Sequence, residues 1–145
     1  MTDPAHLSTD ELASALRISL LRAARRIRSQ RVNTEVTLSQ LSALVTVNRC
    51  GPLSAGEVAS IERVQPPSMT KILASLESAG WIERAAHRAD RRQSIISITR
   101  SGRDLLDEEG RIRDEWLAKR LIEFSPQDLA KLRDAMDVLD RLGSE

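Results

Sequence analysis

Apolar positions in this 145-residue chain follow helical spacing at both ends and switch to a two-residue alternation only once, near the middle. Leu12, Leu16, Leu20, Ala23/Ala24 and Ile27 line one side of a first helix. Ser8 and Glu11 open it as a capping box, and it runs to about Arg31. Thr37 with Gln40 caps a second helix through about Arg49, with Leu41, Leu44, Val45 and Asn48 marking its inner side, and Gly51-Pro52 ends it. Ser54 and Glu57 open a third, short helix through about Ile61. After a turn at Glu62-Arg63-Val64, a fourth helix starts at Gln65-Pro66-Pro67, where proline sacrifices no intrahelical bond. It runs to Ala79, with Gly80 placed to end it. Met69, Ile72, Leu73 and Leu76 fall at i, i+3, i+4 and i+7, so one face is core. The opposite face carries Pro67, Ser68, Thr70, Lys71 and Ala74, all short except Lys71. Short polar side chains allow a helix backbone to come close to base edges, which suits a recognition helix.

The period changes over residues 81–99. Gly80-Trp81-Ile82-Glu83-Arg84 and Gln93-Ser94-Ile95-Ile96-Ser97-Ile98-Thr99 read as two strands of a hairpin with Asp90-Arg91-Arg92 at its tip. Burying two guanidiniums beside one carboxylate would strand charge, so this tip is built to meet something anionic. Thr99 then caps a long helix through about Glu123 that carries Leu105, Ile112, Trp116 and Leu121. Ser125-Pro126 opens a last helix with Leu129, Leu132, Met136 and Leu139 at a/d-like spacing. The expected fold is mainly α with a small β-wing, formed as one domain. A winged helix-turn-helix over residues 37–99 is flanked by helices at 9–31 and 100–145. Neither flank has an obvious partner within so small a core, and both read as a dimerisation layer.

Charge sharpens this picture. The formal total is +1, yet Arg17 to Arg31 holds six Arg and no acid, and residues 81–103 hold six Arg against Glu83 and Asp90. Residues 104–145 carry twelve acids against seven bases, so a near-neutral sum hides two basic segments and an acidic C-terminal third. The arginines of the first helix, Arg17, Arg25 and Arg28 among them, fall outside its apolar stripe and read as a solvated face. Only 2% of residues are aromatic and there is no Tyr, which removes the stacking platform that single-stranded nucleic acid requires. Cys50 is the sole cysteine and reads as small, inert and partly buried; a reducing, cytoplasmic setting is expected. No apolar run approaches the roughly 20 residues that span a bilayer, so no membrane association is expected. His6 and His87 lack ligand spacing, so no metal or other cofactor is expected. No nucleophile–base pair or phosphate loop points to an enzyme.

Four local stretches resemble the multiple antibiotic resistance regulator (MarR) family of bacterial transcription factors. They are Gly51-Pro52-Leu53-Ser54; Ser68-Met69-Thr70-Lys71 with Leu76-Glu77; Gly80-Trp81-Ile82-Glu83-Arg84; and Asp90-Arg91-Arg92 leading to Ile98-Thr99 and Gly102. The resemblance implies a homodimer whose first and last two helices interlock. Its recognition helices would enter successive major grooves of a pseudo-palindromic operator. It also implies a regulator, most often a repressor in this family, relieved by a small aromatic or phenolic effector. The family's Asp-x-Arg wing motif maps onto Asp90 and Arg92: the Arg enters the minor groove and the Asp holds its guanidinium. Arg91 is then a phosphate contact, and Arg84 and Arg88 either neutralise phosphates or remain solvated strand-edge charges. Gln65, Pro67, Ser68, Thr70 and Lys71 on the recognition helix, and Ser54 at the N-terminus of the helix before it, complete the candidate DNA-binding set, with Gln65 reading equally well as a turn residue. Trp116 fits either core or the wall of an effector pocket. Some members sense oxidants through a cysteine in the first helix, and this chain has none there. The alternative reading is a winged-helix protein-interaction module without direct DNA binding, which would cover the Arg84–Arg92 surface with an acidic partner.

Overall fold

The computed structural model describes residues 7–31, 35–90 and 92–143. Among the described residues six helices and three strands follow in the order α1 (Thr9–Arg28), α2 (Leu38–Cys50), β1 (Leu53–Ser54), α3 (Ala55–Glu62), α4 (Pro66–Ser78), β2 (Ile82–Ala86), β3 (Ser94–Ile98), α5 (Arg100–Leu121) and α6 (Pro126–Gly143). The chain forms two compact units, one over residues 31–111 and the other over residues 1–30 and 112–145.

In the unit of residues 31–111, α2, α3 and α4 enclose a core of Ala43, Leu44, Val47, Val58, Met69, Leu73 and Leu76. The sheet closes it with Leu53, Ile82 and Ile96. Burying an aliphatic side chain of this size is worth about 1.5–3 kcal/mol, so this cluster is the main cohesive force of the unit. The sheet is antiparallel with order β1-β3-β2. Its register pairs Arg84 and Leu53 with Ile96 from opposite sides, and Ala86 with Ser94 at the far end. β1, two residues long, is too short to be visible as alternation in the sequence.

Helix ends obey the capping chemistry written in the sequence. Thr37/Gln40 and Ser54/Glu57 form reciprocal capping boxes for α2 and α3. Arg63 ends α3 with φ 53°, and Gly80 follows α4 with φ +78°. Thr99 takes the N-cap role for α5: its hydroxyl accepts from Gly102 N–H at 3.1 Å and donates to Gly80 O at 2.6 Å. Gly102 is buried where a Cβ would overlap Trp81 O and meet Ile98 Cγ1 at 2.8 Å. Only a residue without a side chain lets α5 start so close to the hairpin.

Three details depart from the sequence reading. In α2 the inner face is Leu41, Ala43, Leu44, Thr46 and Val47, while Val45 and Asn48 are exposed. Contacts with α3, α4 and β3 on different sides make this a central helix, so a single stripe does not describe it. Cys50 is exposed at the end of α2 rather than partly buried. α1 stops at Arg28, where Ser29 caps it.

In the unit of residues 1–30 and 112–145, α1 and α6 bury no residue. Leu12, Ile18, Leu20 and Leu21 of α1 are exposed, as are Ile122, Phe124, Met136, Val138 and Leu142 toward the C-terminus. A largely apolar groove of about 670 Å³ runs between Leu117, Leu121, Phe124, Leu129, Leu132 and Met136. Trp116 is half-buried, with the Arg120 guanidinium 5.7 Å from its ring centre, a cation–π distance. Among the described residues no helix is long and apolar enough to cross a membrane.

Candidate nucleic-acid interface

The candidate residues gather on α4 and on the β2–β3 hairpin, both within the unit of residues 31–111. Amphipathicity fixes how α4 is set. Met69, Leu73 and Leu76 face the core, which leaves Pro67, Ser68, Thr70 and Lys71 exposed. Gln65 is the N-cap, without a side-chain cap bond, and is also exposed. The Thr70 hydroxyl donates to Pro66 O at 2.9 Å, so its oxygen keeps lone pairs for an outside donor. Two polar clips hold the helix-turn-helix in register. Gln40 of α2 donates to Ser75 Oγ of α4 at 2.6 Å, and Ser42 Oγ donates to Glu62 of α3 at 2.6 Å. Thr46 donates to the other oxygen of the same carboxylate.

The wing carries its own scaffold. His87 N–H donates to Gln93 O at 2.9 Å, and Gln93 N–H donates to Asp90 O at 3.0 Å, closing the tip. Asp90 Oδ1 accepts the backbone N–H of Arg92 at 3.0 Å. The carboxylate therefore acts on the Arg92 backbone as an Asx turn, whereas the expected contact was with the guanidinium. Arg88 and Arg92 are exposed, and among the described residues neither their side chains nor that of Lys71 takes part in a hydrogen bond or ion pair. Arg91 lies outside the described residues, as does His6.

Arg84 is placed differently from its neighbours. Its Nε contacts Glu77 Oε2 at 2.8 Å, joining β2 to the last turn of α4, with side-chain exposures of 26% and 43%. In the free protein the guanidinium is latched to the recognition helix through Nε, a contact that neither sequence reading, phosphate contact or solvated edge charge, foresaw. Ser54 is committed to its capping box, its N–H donating to Glu57 Oε2 at 2.7 Å and its Oγ accepting from Glu57 N–H. The Ser54 N–H bond, then the Ser54 hydroxyl, hold the Glu57 carboxyl below its ordinary titration range; a positive charge on the His87 ring would add a smaller electrostatic pull in the same direction. Next to this helix start, Ser54, Ala55 and Gly56 share an open cleft with Arg92, Gln93 and Ser94.

Sequence reasoning did not assign roles to Glu77, Glu62, Ser42, Thr46 or the His87 ring. Glu77 and Arg84 are joined only after a helix end and a turn have reversed the chain, and no helical or strand spacing links such positions.

Comparison with known proteins agrees with this architecture. The sequence model of the MarR family matches residues 36–94, the stretch that holds α2 to the start of β3. An HTH-type transcriptional regulator of Mycobacterium tuberculosis is 41% identical over 138 residues, covering 95% of this chain and 96% of the relative. A crystal structure of a putative transcriptional regulator from Pseudomonas aeruginosa is 29% identical and superimposes with a TM-score of 0.80 over 91% of this chain and 92% of the other. An S. aureus MepR variant, solved bound to an oligodeoxyribonucleotide, shares the fold at 19% identity, with a TM-score of 0.68 over 90% of this chain and 96% of its own. With its recognition helix, its basic wing and relatives aligned along nearly its whole length, the chain belongs to the MarR family of DNA-binding transcriptional regulators.

Proposed function

We propose that the protein represses transcription as a homodimer on a pseudo-palindromic operator. α4 would read the major groove and the wing arginines the adjoining minor groove and backbone. The observation that carries this is the pairing, on one unit, of a short polar helix face with a self-braced hairpin. That hairpin holds Arg88 and Arg92 exposed and uncommitted among the described residues. Gln65, Pro67, Ser68 and Thr70 take base-edge and close-approach positions, and Lys71 a phosphate. Arg92 enters the minor groove, where narrow A·T-rich DNA concentrates negative potential. Arg88 and Arg91 neutralise phosphates, Asp90 sets the Arg92 backbone, and Ser54 orients the start of α3 toward the duplex. The DNA-bound MepR variant supports this docking by its shared fold.

Dimerisation through residues 9–31 and 100–145 is supported by the apolar side chains that α1, α6 and the end of α5 leave in water, Ile122 being 82% exposed. A second copy is the partner that this reading supplies. Two recognition helices then stand at a fixed spacing. A small aromatic or phenolic effector that prefers another spacing lowers operator affinity by its differential affinity for the two forms.

The test is fluorescence anisotropy on a duplex selected by the protein from a random pool, with a scrambled duplex as control. Sedimentation velocity reports the oligomeric state of the same samples. The expected result is a dimer that prefers the selected duplex, and an Arg92→Ala variant that folds and dimerises but binds at least about tenfold more weakly. An Arg92→Ala variant with unchanged affinity would remove the wing from the mechanism.

A further inference from the structure

His87 stands at the base of the wing tip, and its ring does something that no charge count reveals. Its Nδ1 accepts two backbone N–H groups, from Ala89 and from Asp90, each at 3.1 Å. Those amides lie within a loop that has no ladder partners for them, so the imidazole stands in for a missing backbone acceptor. Asp90, tied down in this way, in turn fixes the Arg92 N–H through Oδ1 at 3.0 Å. A chain of short-range bonds therefore runs from the His87 ring to the backbone of Arg92.

We propose that His87 is the positioning residue that presents Arg92 to DNA, and that it does so only while its imidazole is neutral. The inference rests on the DNA-binding role assigned to the wing above. An imidazole nitrogen accepts a hydrogen bond only through a free lone pair, so the ring must carry its proton on Nε2. Protonation places a hydrogen on Nδ1 as well, turning the shared acceptor into a third donor aimed at two donors. Both amide bonds are then lost, and the tip that they organise loosens. Among the described residues, Glu57 in the first turn of α3 interacts electrostatically with the ring, and Arg88, Asp90 and Arg92 are the charged residues that follow it in the hairpin. Gln93, opposite His87, and Ser94 at the start of β3 do not titrate. A positive imidazolium near DNA would by itself raise affinity for phosphate, so the positioning role carries the opposite sign and the two are separable.

Operator affinity is measured by anisotropy on the selected duplex between about pH 8 and pH 5. The variants are His87→Asn, whose Oδ1 replaces the Nδ1 acceptor without titrating, and His87→Ala, which has no acceptor. His6→Asn serves as background, since the chain has two histidines. Relative to His87→Asn, the wild type should lose roughly five- to tenfold in affinity on acidification, the effect of losing one or two net hydrogen bonds. His87→Ala should be weak at every pH, with Asn restoring most of the binding. In the free protein, the Ala89 and Asp90 amide protons should shift with pH in the wild type and stay fixed in His87→Asn. Equal pH profiles for wild type and His87→Asn, or His87→Ala binding like wild type at pH 8, would overturn the proposal. Failure of the wild type to bind the duplex at pH 8 would instead overturn the DNA-binding role. The amide arm, which needs no DNA, would still decide the ring's part: amides that ignore pH refute it, and amides that follow the imidazole uphold it.

Discussion

Replacing Arg84 by alanine separates two physical roles that a basic residue beside DNA can play. Arg84 Nε and Glu77 Oε2 are 2.8 Å apart. At an effective dielectric of about 20, two unit charges with centres about 4 Å apart attract by roughly 4 kcal/mol. Side-chain exposures of 26% and 43% mean that water screens much of this and that ordering two long side chains offsets more. Partly exposed pairs of this kind retain about 1 kcal/mol. Spent on wing position, that corresponds to about fivefold in operator affinity. A latch neutralises no phosphate, so Arg84→Ala should weaken binding two- to fivefold while leaving the slope of log K against log salt unchanged. Had Arg84 touched a phosphate, the slope would fall by about 0.9. Glu77→Gln gives the opposite signs for the two roles. As a latch partner its loss weakens binding, whereas release of a phosphate-seeking guanidinium would tighten it and steepen the slope. Anisotropy titrations at four salt concentrations, with the double variant to close the cycle, decide between them. A slope loss near 0.9 in Arg84→Ala, or tighter binding by Glu77→Gln, would refute the latch.

Lys71→Ala should reduce the salt slope by about 0.9 and weaken binding to selected and scrambled duplexes alike; an unaltered slope would mean that Lys71 meets no phosphate. Gly102→Ala drives a Cβ into Trp81 O and should destabilise the protein by about 2–4 kcal/mol in urea unfolding, and a loss below about 0.5 kcal/mol would contradict the packing given for α5. The Glu57 carboxyl is held below its usual range chiefly by the Ser54 N–H. Its contribution is therefore present above the unfolded value and lost as pH falls through the folded one, so Glu57→Gln should flatten the acid limb of the stability profile below about pH 5; a limb identical to wild type would argue against it.

Local chemistry is what the sequence made legible. Capping boxes at Ser8, Thr37 and Ser54, the proline pair opening α4 and Gly80 closing it are short-range rules, and the structure follows each. The exposed face of α4 was legible for the same reason, because a single stripe of Met69, Leu73 and Leu76 settles which side is left out. α2 defeated the same logic through its several packing partners. The polar clips were hidden by a different cause. Ser42 and Thr46 meet Glu62 only after α2 and α3 have packed, and Arg84 meets Glu77 only after the chain has turned back on itself. Side-chain hydrogen bonds between elements carry no periodicity, so the pattern of hydrophobic and polar positions holds no trace of them.

These clips share one consequence. The hydrophobic core decides which face of α4 is outward, but hydrophobic packing is non-directional and tolerates small rotations and slides. Reading a base edge does not, since a hydrogen bond weakens steeply with angle and distance. Directional contacts are therefore needed on each moving part, and the chain places one or more on every part of the candidate interface. Glu62 holds α3, Ser75 holds the C-terminal turn of α4 to α2, Glu77 joins the same turn to the wing, and His87 with Asp90 braces the tip. Each is worth on the order of 1 kcal/mol, little beside the core. Their substitution should accordingly register in the ratio of selected to scrambled affinity far more than in the melting temperature. The residues that never touch DNA would thus set how well those that do can discriminate it.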